Sequence, residues 1–477
     1  MATTPNILLI TTDQQRFDHL GIKGVKGIKT PHLDRLGKEG VHFDRAYCPS
    51  PICTPTRVSL LTGQYPSMHQ AYSIGVTVDP FPRPTIADLL SASGYATALF
   101  GKTHFVRRED EIPHMTGEIN PPPEFFKTWK GPYLGFEEYQ GGTGHTINKV
   151  PSMHYRTFLE EAGVDYPQWF PSMSDSYDHH QCGHWDIPEQ YHDTSWVASL
   201  TTDYIERNAG QKPWFCWASF EDPHEPLVCP DPWYSSVNTE EMEIYEGYRE
   251  GEFDDRPDLY RMCREKDFTP LNDGSVQEDI LGGAVHEKCS IPSVFGESLK
   301  DERVREATQA TLGMVASLDD RVGAILKTIE KTGQLDNTII IYTSDHGEMH
   351  GHHGLWGKGV TAYEDCQRVP LLIWGPGYIK PRGTVSGLAN LVDLPKTILN
   401  LSGVPLPQHI QGTDLTPILN GTIDSVQDAT LVELRASQTT VNQHTLITDR
   451  YKLVVYKNLS EGEHYDLETD PDQYTNL

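Results

Sequence analysis

The chain has 477 residues, 37% hydrophobic and 22% charged, with 40 glycines, 34 prolines and a formal net charge of −28. That length suffices for one large α/β domain with an appendage or for two or three domains, and the composition is that of a folded, loop-rich chain rather than a disordered one. The acidic excess excludes sequence-independent binding to nucleic acid or to anionic membranes, and it obliges any anionic substrate to be drawn in by a local cluster of cations.

Near the start, Ile7–Ile10 is a short apolar run with no positive region ahead of it, so no secretory signal is expected. No stretch approaches the roughly 20 apolar residues of a membrane span. Residence in the cytoplasm is the expectation, or in the periplasm if a leader has been removed. The run Asn6–Thr12 is apolar and β-branched throughout, as a central strand covered on both faces requires, and it ends in Asp13-Gln14-Gln15-Arg16. Polar residues at the carboxyl end of a parallel strand are where open α/β sheets place their sites, although Asp13 alone reads equally well as a helix N-cap. Thr30–Leu36 begins an amphipathic helix, and Gly40–Tyr47 is expected to lead as a strand into Ser50-Pro51-Ile52-Cys53-Thr54-Pro55-Thr56-Arg57.

In that segment Pro55, Val58, Leu60 and Leu61 mark a helix start that puts Cys53 beside the positive helix end, with Arg57 one turn on and facing the same way. A thiol is activated by such surroundings. Further along, Thr85–Leu90 has a helical stripe, and Tyr95–Phe100 reads as a buried strand delivering Lys102 and His104. From 107 to 196 periodicity fails and Pro, Gly, His and aromatic residues crowd together, which predicts recognition loops; His184 and His192 read as loop polar residues. Trp214–Phe220 is the next strand, ending in Glu221-Asp222-Pro223-His224-Glu225. The stretch 228–300 is again loop-rich, with Tyr245, Tyr248, Arg249 and Arg264 as candidate pocket contacts. A long helix is predicted over Arg303–Thr332, and Thr338–Thr343 is a strongly β-branched strand delivering Ser344-Asp345-His346-Gly347-Glu348. His350, His352 and His353 follow, read as pocket or loop residues rather than a zinc cluster, and then Lys358 between glycines. Val369–Trp374 reads as a strand and Val392–Leu399 as a helix, and from 425 short strands predict a small separate sheet. The eight cysteines (48, 53, 182, 216, 229, 263, 289, 366) show no Cys-x-x-Cys spacing and are expected to be reduced.

Cys53-x-Pro55-x-Arg57 followed by Leu61-Thr62-Gly63 resembles the signature of the formylglycine-dependent sulfatases of the alkaline phosphatase superfamily, and five motif groups over residues 6–477 follow that family's order. The resemblance implies a large, mixed, mostly parallel α/β sheet sandwiched by helices over 1–424, with loop-rich insertions near 107–196 and 228–300. A small C-terminal antiparallel α+β subdomain is implied over 425–477. It implies that Cys53 is oxidised to formylglycine (3-oxoalanine) by a formylglycine-generating or anaerobic sulfatase-maturating enzyme. One hydroxyl of the aldehyde hydrate then attacks sulfur and the other drives collapse back to the aldehyde. Asp13, Gln14, Asp345 and His346, with Cys53, are implied as metal-binding, and Lys102 and Lys358 as sulfate-holding. His224 is implied as the acid at the leaving group, and His104 as the partner of the formylglycine. Departures from the family pattern are Thr56 in place of serine, Gln14 in place of a second aspartate, and His346 where many members carry asparagine. Calcium suits the oxygen donors, and manganese is the alternative because of His346.

The reading is a sulfatase acting on a sulfate monoester, a sulfated saccharide ahead of choline sulfate or an aryl sulfate. Alternatives use the same site on phosphonate monoesters or phosphodiesters, replace formylglycine with a hydroxyl of Thr54 or Thr56 in a metal phosphatase, or bind anions without turnover.

Overall fold

A computed structural model of the chain describes residues 4–72, 78, 81–105, 124–142, 151–165, 169, 182–265, 302–435, 441–457 and 459–477. Among these residues the strands follow one another along the chain as β1 (Asn6–Thr12), β2 (Val41–Phe43), β3 (Ala46–Tyr47), β4 (Ala96–Gly101), β5 (Glu138–Gly141), β6 (Cys182–His184), β7 (Trp214–Ser219), β8 (Leu227–Cys229), β9 (Thr338–Ser344), β10 (Arg368–Val369), β11 (Leu371–Trp374), β12 (Gly383–Val385), β13 (Ala389–Asn390), β14 (Ala429–Arg435), β15 (Asn442–Thr448), β16 (Tyr451–Tyr456) and β17 (Glu463–Asp466). Eight of them form one sheet in the order β12-β2-β11-β9-β1-β7-β4-β5. β1 pairs parallel with β7 and with β9, and β4 pairs parallel with β7 and β5. Within this sheet β11 alone runs against its neighbours, β9 and β2.

The apolar runs of the central strands are explained by burial on both faces. Ile7, Leu9, Phe215, Trp217, Ile339 and Ile341 pack into one core with Leu60, Leu61 and Ile398 from helices Cys53–Thr62 and Asp393–Leu401. Their alternates Leu8, Ile10, Cys216, Ala218, Ile340 and Tyr342 pack on the other face with Val197, Leu318, Val322 and Ile325, carried by helices Asp193–Asn208 and Glu302–Lys331. Continuous hydrophobicity in sequence becomes strict alternation between two helix layers in space. No helix among the described residues is long and apolar enough to cross a membrane.

Three expectations are corrected. Gly40–Tyr47 is not one strand: β2 joins the main sheet, while β3 pairs with β10 and β13 in a small second sheet. The strand expected over Val369–Trp374 is divided at Pro370, which has no N–H for a ladder. The stretch 107–196 is not all loop, because β5 forms an edge of the main sheet and helix Met153–Glu161 lies behind it. Residues 106–123, 143–150, 166–168, 170–181 and 266–301, including Cys289 and the later part of the second expected insertion, lie outside the described residues. The other seven cysteines are free thiols.

β14–β17 form a four-stranded antiparallel meander, and the described residues after 425 carry strands and turns without a helix. This sheet is docked by polar contacts on the cysteine segment: Glu433 N donates to Pro49 O at 2.8 Å, and its carboxylate receives Ser67 N and Oγ at 2.8 and 2.9 Å. The fully buried Lys452 is paired with Glu364 at 3.0 Å.

Candidate active site

The carboxyl ends of β1, β4, β7 and β9 lie side by side, so the polar residues that follow each strand converge. Asp13 follows β1, Lys102 follows β4, His224 follows β7 and Asp345 follows β9. Helix Cys53–Thr62 ends in Gly63, whose φ of 69° gives a left-handed C-cap, and begins at Cys53 itself, earlier than the proline suggested. Cys53 therefore sits in the first turn, where unpaired backbone N–H groups make the electrostatic environment positive.

Arg57 ties the site together. It is fully buried: Nε donates to Asp345 Oδ2 at 2.8 Å, Nη2 to Asp13 Oδ2 at 3.1 Å, and Nη1 to Ser219 Oγ at 2.7 Å and the Lys102 carbonyl at 3.1 Å. Lys102 Nζ adds a 2.7 Å contact to Asp13 Oδ2. The outer oxygens of both aspartates are thus neutralised by cations, which leaves the two Oδ1 atoms facing inward. Around them, Cys53 Sγ lies 3.7 Å from Asp13 Oδ1, 3.2 Å from His346 Nε2 and 3.2 Å from Lys358 Nζ. His346 Nδ1–H donates to Gly347 O at 2.9 Å, which fixes the tautomer and turns Nε2 on the sulfur.

Burial and Asp13 oppose a charge on Cys53, yet Lys358, His346 and Lys102 outweigh them and hold its thiol well below the usual range. Burial likewise opposes Asp13, but Lys102, His224, Lys358 and Arg57 hold its carboxyl well below the usual value. Asp345 is pushed up by burial and by Asp13, against His346 and Arg57. Lys102 and Lys358 are desolvated but kept charged, Lys102 chiefly by Asp13 and Lys358 chiefly by Cys53. The position of Sγ is one at which an anion is stabilised.

Asp13, Cys53, Asp345 and His346 offer ligand atoms within 4.8 Å of one another. Two carboxylate oxygens, an imidazole nitrogen with a fixed tautomer and a nearby amide oxygen suit a divalent cation. Gln14, with a φ of 65°, donates its backbone N–H to Asp345 Oδ1 at 3.1 Å, and its Oε1 accepts from Lys358 Nζ at 2.6 Å.

His224 is buried at 7% exposure and its Nδ1 donates to Glu225 O at 2.6 Å. Its link to the centre is through charge on Asp13 and through Glu225, not through direct contact with Cys53. His104, with φ of 53°, carries a buried Nδ1 without a hydrogen-bond partner. Three residues of the centre escape sequence reading: Ser219, Glu225 and Glu348. All follow or end a strand, but their side chains are common types whose partners lie far away in sequence.

Other expected residues do different work. His352 and Asp365 lie in a second cluster with His353, where Asp365 Oδ1 receives both His352 Nδ1 at 3.0 Å and Arg16 Nη1 at 2.6 Å, and His353 Nδ1 meets Glu252 at 3.2 Å. An arginine on that carboxylate makes the cluster an ion-paired knot beneath the 350–355 loop. Arg16 also lies over Tyr245, Arg264 over Tyr248 and Arg249 over Tyr474, so the four candidate pocket residues brace this loop. His192 lies in the bend before helix Asp193–Asn208, where it is buried and caps the helix, its Nδ1 accepting Thr194 N. His184 lies in β6 and meets Asp186 and Asp231 at 3.3 Å.

Compared with known proteins, residues 5–404 match the Sulfatase family model, and residues 351–477 match the model described as N-sulphoglucosamine sulphohydrolase, C-terminal. An arylsulfatase of Clostridium perfringens is 27% identical over 99% of this chain and 90% of its own length. An N-acetylglucosamine-6-O-sulfatase of Bacteroides thetaiotaomicron is 26% identical over 99% of this chain and 82% of its own. Among solved structures, a phosphonate monoester hydrolase from Silicibacter pomeroyi superposes with a TM-score of 0.76 at 25% identity, covering 99% of this chain and 90% of that one.

Proposed function

This chain belongs to the sulfatase family and is a sulfuric ester hydrolase, and from that premise we propose that it removes sulfate from a sulfated saccharide, using Cys53 after its oxidation to formylglycine. The observation that carries the proposal is the setting of Cys53 Sγ, 3.2 Å from both Lys358 Nζ and His346 Nε2 at the start of a helix. That sulfur marks the place where the nucleophilic oxygen of the matured chain would stand, and the surrounding charges favour an anion there. Asp13, Gln14, Asp345 and His346 would hold one divalent cation, calcium ahead of manganese. That cation would supply Lewis acidity toward the sulfuryl oxygens and lower the pKa of the nucleophile.

The remaining work falls to side chains. Lys102 and Lys358 supply fixed positive charge for the sulfuryl oxygens, and a preorganised donor of this kind contributes about 3 kcal/mol. Arg57 holds both aspartates in place and favours their charged forms. His224 donates Nδ1–H to the Glu225 carbonyl, so as an imidazolium it would give its Nε2 proton to the departing alkoxide and be left as the neutral Nδ1–H tautomer. His104 would take the proton that restores the aldehyde. The saccharide class is supported by the N-acetylglucosamine-6-O-sulfatase relative. A second reading, phosphonate monoester or phosphodiester hydrolysis, is favoured by Gln14 and His346 in the metal set and by the likeness to a phosphonate monoester hydrolase.

The test is a peptide mass spectrum across Cys53 in protein from the native host, coupled to sulfate release from a panel of sulfated saccharides and to phosphonate turnover at equal metal loading. A mass about 18 Da below the thiol peptide, with sulfate release, supports the proposal. An unmodified thiol in active protein overturns the formylglycine mechanism, and faster phosphonate turnover overturns the substrate class.

A further inference from the structure

The Gln14 amide sits between three charged side chains. Lys358 Nζ donates to its Oε1 at 2.6 Å, while its Nε2 donates to Glu225 Oε2 at 2.5 Å and to Glu348 Oε2. An amide carries two N–H donors at one end and only acceptor lone pairs at the other, so an end flanked by two carboxylates has to be the nitrogen end. Both glutamates are buried, at 7% and 5% exposure. Glu348 Oε1 receives the backbone N–H groups of His350, at 3.1 Å, and of Gly357. His224 Nδ1, which donates to the Glu225 backbone carbonyl, also lies 3.7 Å from Glu225 Oε2.

We propose that Glu225 and Glu348 are positioning residues that lock the Gln14 amide with Oε1 turned to the cation-binding side of the centre, where Lys358, Cys53 and Asp13 lie. The inference rests on the reading of Asp13, Gln14, Asp345 and His346 as metal ligands. An unrestrained glutamine would present N–H as readily as C=O to a cation. Here a flip would break two charge-assisted hydrogen bonds and set an amide oxygen against two carboxylates. The same geometry explains why position 14 carries an amide: an aspartate there would be a third carboxylate beside Glu225 and Glu348. Gln14 and the two glutamates are therefore a matched set, in which the residue that supplies the ligand oxygen is neutral because the residues that aim it are charged.

The experiment is calorimetric titration of the purified full chain, stripped with chelator, with calcium alone and with manganese alone. The wild type is compared with Glu225→Gln, Gln14→Asp and the double variant, and Glu348→Gln is run as a second probe should Glu225→Gln fold poorly. Loss of an orienting partner outside the ligand set is expected to weaken metal affinity about 10- to 100-fold in the Gln14 chain. On the Gln14→Asp background, where there is no amide to aim, the same Glu225→Gln change is expected to weaken affinity far less, only by the nearby negative charge it removes. Equal weakening on both backgrounds means that Glu225 acts only as a nearby negative charge, and overturns the proposal, as does no change in either. Absence of metal binding by the wild type, or binding untouched by Asp13→Asn and Asp345→Asn, instead overturns the metal reading on which the proposal stands.

Discussion

Replacing Arg57 with methionine keeps the apolar stem of the side chain but removes its four hydrogen bonds and its charge. The cost is set by what each partner retains. Asp13 keeps Lys102 at 2.7 Å, so its charge stays compensated. Asp345 loses the guanidinium at 2.8 Å and keeps only the backbone N–H groups of Gln14 and His346, at 3.1 and 2.9 Å, with the His346 imidazole 3.6 Å away. A buried charge stripped of its partner costs about 3–5 kcal/mol. Ser219 Oγ and the Lys102 carbonyl also lose a donor, but neutral groups add little beyond that range, and Ser219→Ala alone should cost only about 1 kcal/mol. The measurement is the unfolding free energy in denaturant of metal-free wild type, Arg57→Met and Ser219→Ala. An Arg57→Met chain within about 1 kcal/mol of wild type would refute the assignment of Arg57 as the compensating charge for Asp345.

His224→Asn should lower kcat for a sugar sulfate by roughly 10²- to 10⁴-fold, yet far less for nitrophenyl sulfate, whose leaving group needs no proton; an equal loss on both substrates would remove His224 from that role. His154 is lowered by burial to about 4, with Nε2–H donating to Trp129 O at 2.7 Å and Nδ1 accepting Gly141 N at 3.2 Å. Between about pH 6.5 and 4 the unfolded chain binds this proton and the folded chain does not, so stability falls as pH drops through that window, by about 3 kcal/mol from this group. His154→Gln should flatten the acid limb of the stability profile, and an unchanged slope would count against the buried neutral imidazole. Gly101 has a φ of 96°, and a Cβ there would collide with the Ser219 carbonyl oxygen. Gly101→Ala should therefore cost about 3 kcal/mol by thermal unfolding and displace Lys102, and a wild-type midpoint would contradict the close pairing of β4 with β7.

Asp13, Lys102, His224 and Asp345 are legible in the sequence because each follows an apolar run long enough to be a buried strand, and Cys53 and Arg57 because they share a helical face. Glu225 and Glu348 lie in the same strand-end segments but are not legible as site residues, since a glutamate after a strand has no pattern of its own. Their meaning comes from Gln14, more than 200 residues away. The second histidine cluster is obscure for the same reason: Arg16 reaches Asp365 across the fold, and only that contact distinguishes a salt-bridged knot from a metal site. β5 escapes detection because Glu138-Tyr139-Gln140-Gly141 lacks apolar alternation, which an edge strand with a single neighbour can do without.

The central sheet pairs β1 with β9, joining the start of the chain to a segment made late in its synthesis. In the folded chain Cys53 is fully buried, in contact with His346 and Lys358, which follow β9. Translation at about 5–20 residues per second needs roughly 15–60 s to cover the ~290 residues between Cys53 and Asp345. If Cys53 is converted as proposed above, the converting enzyme has that interval in which the Cys53-x-Pro55-x-Arg57 segment is not yet covered by the residues that follow β9. On that proposal the order of strands in the sheet would set a time limit on maturation, and slower translation of the middle of the chain would raise the fraction of protein that leaves the ribosome with Cys53 converted.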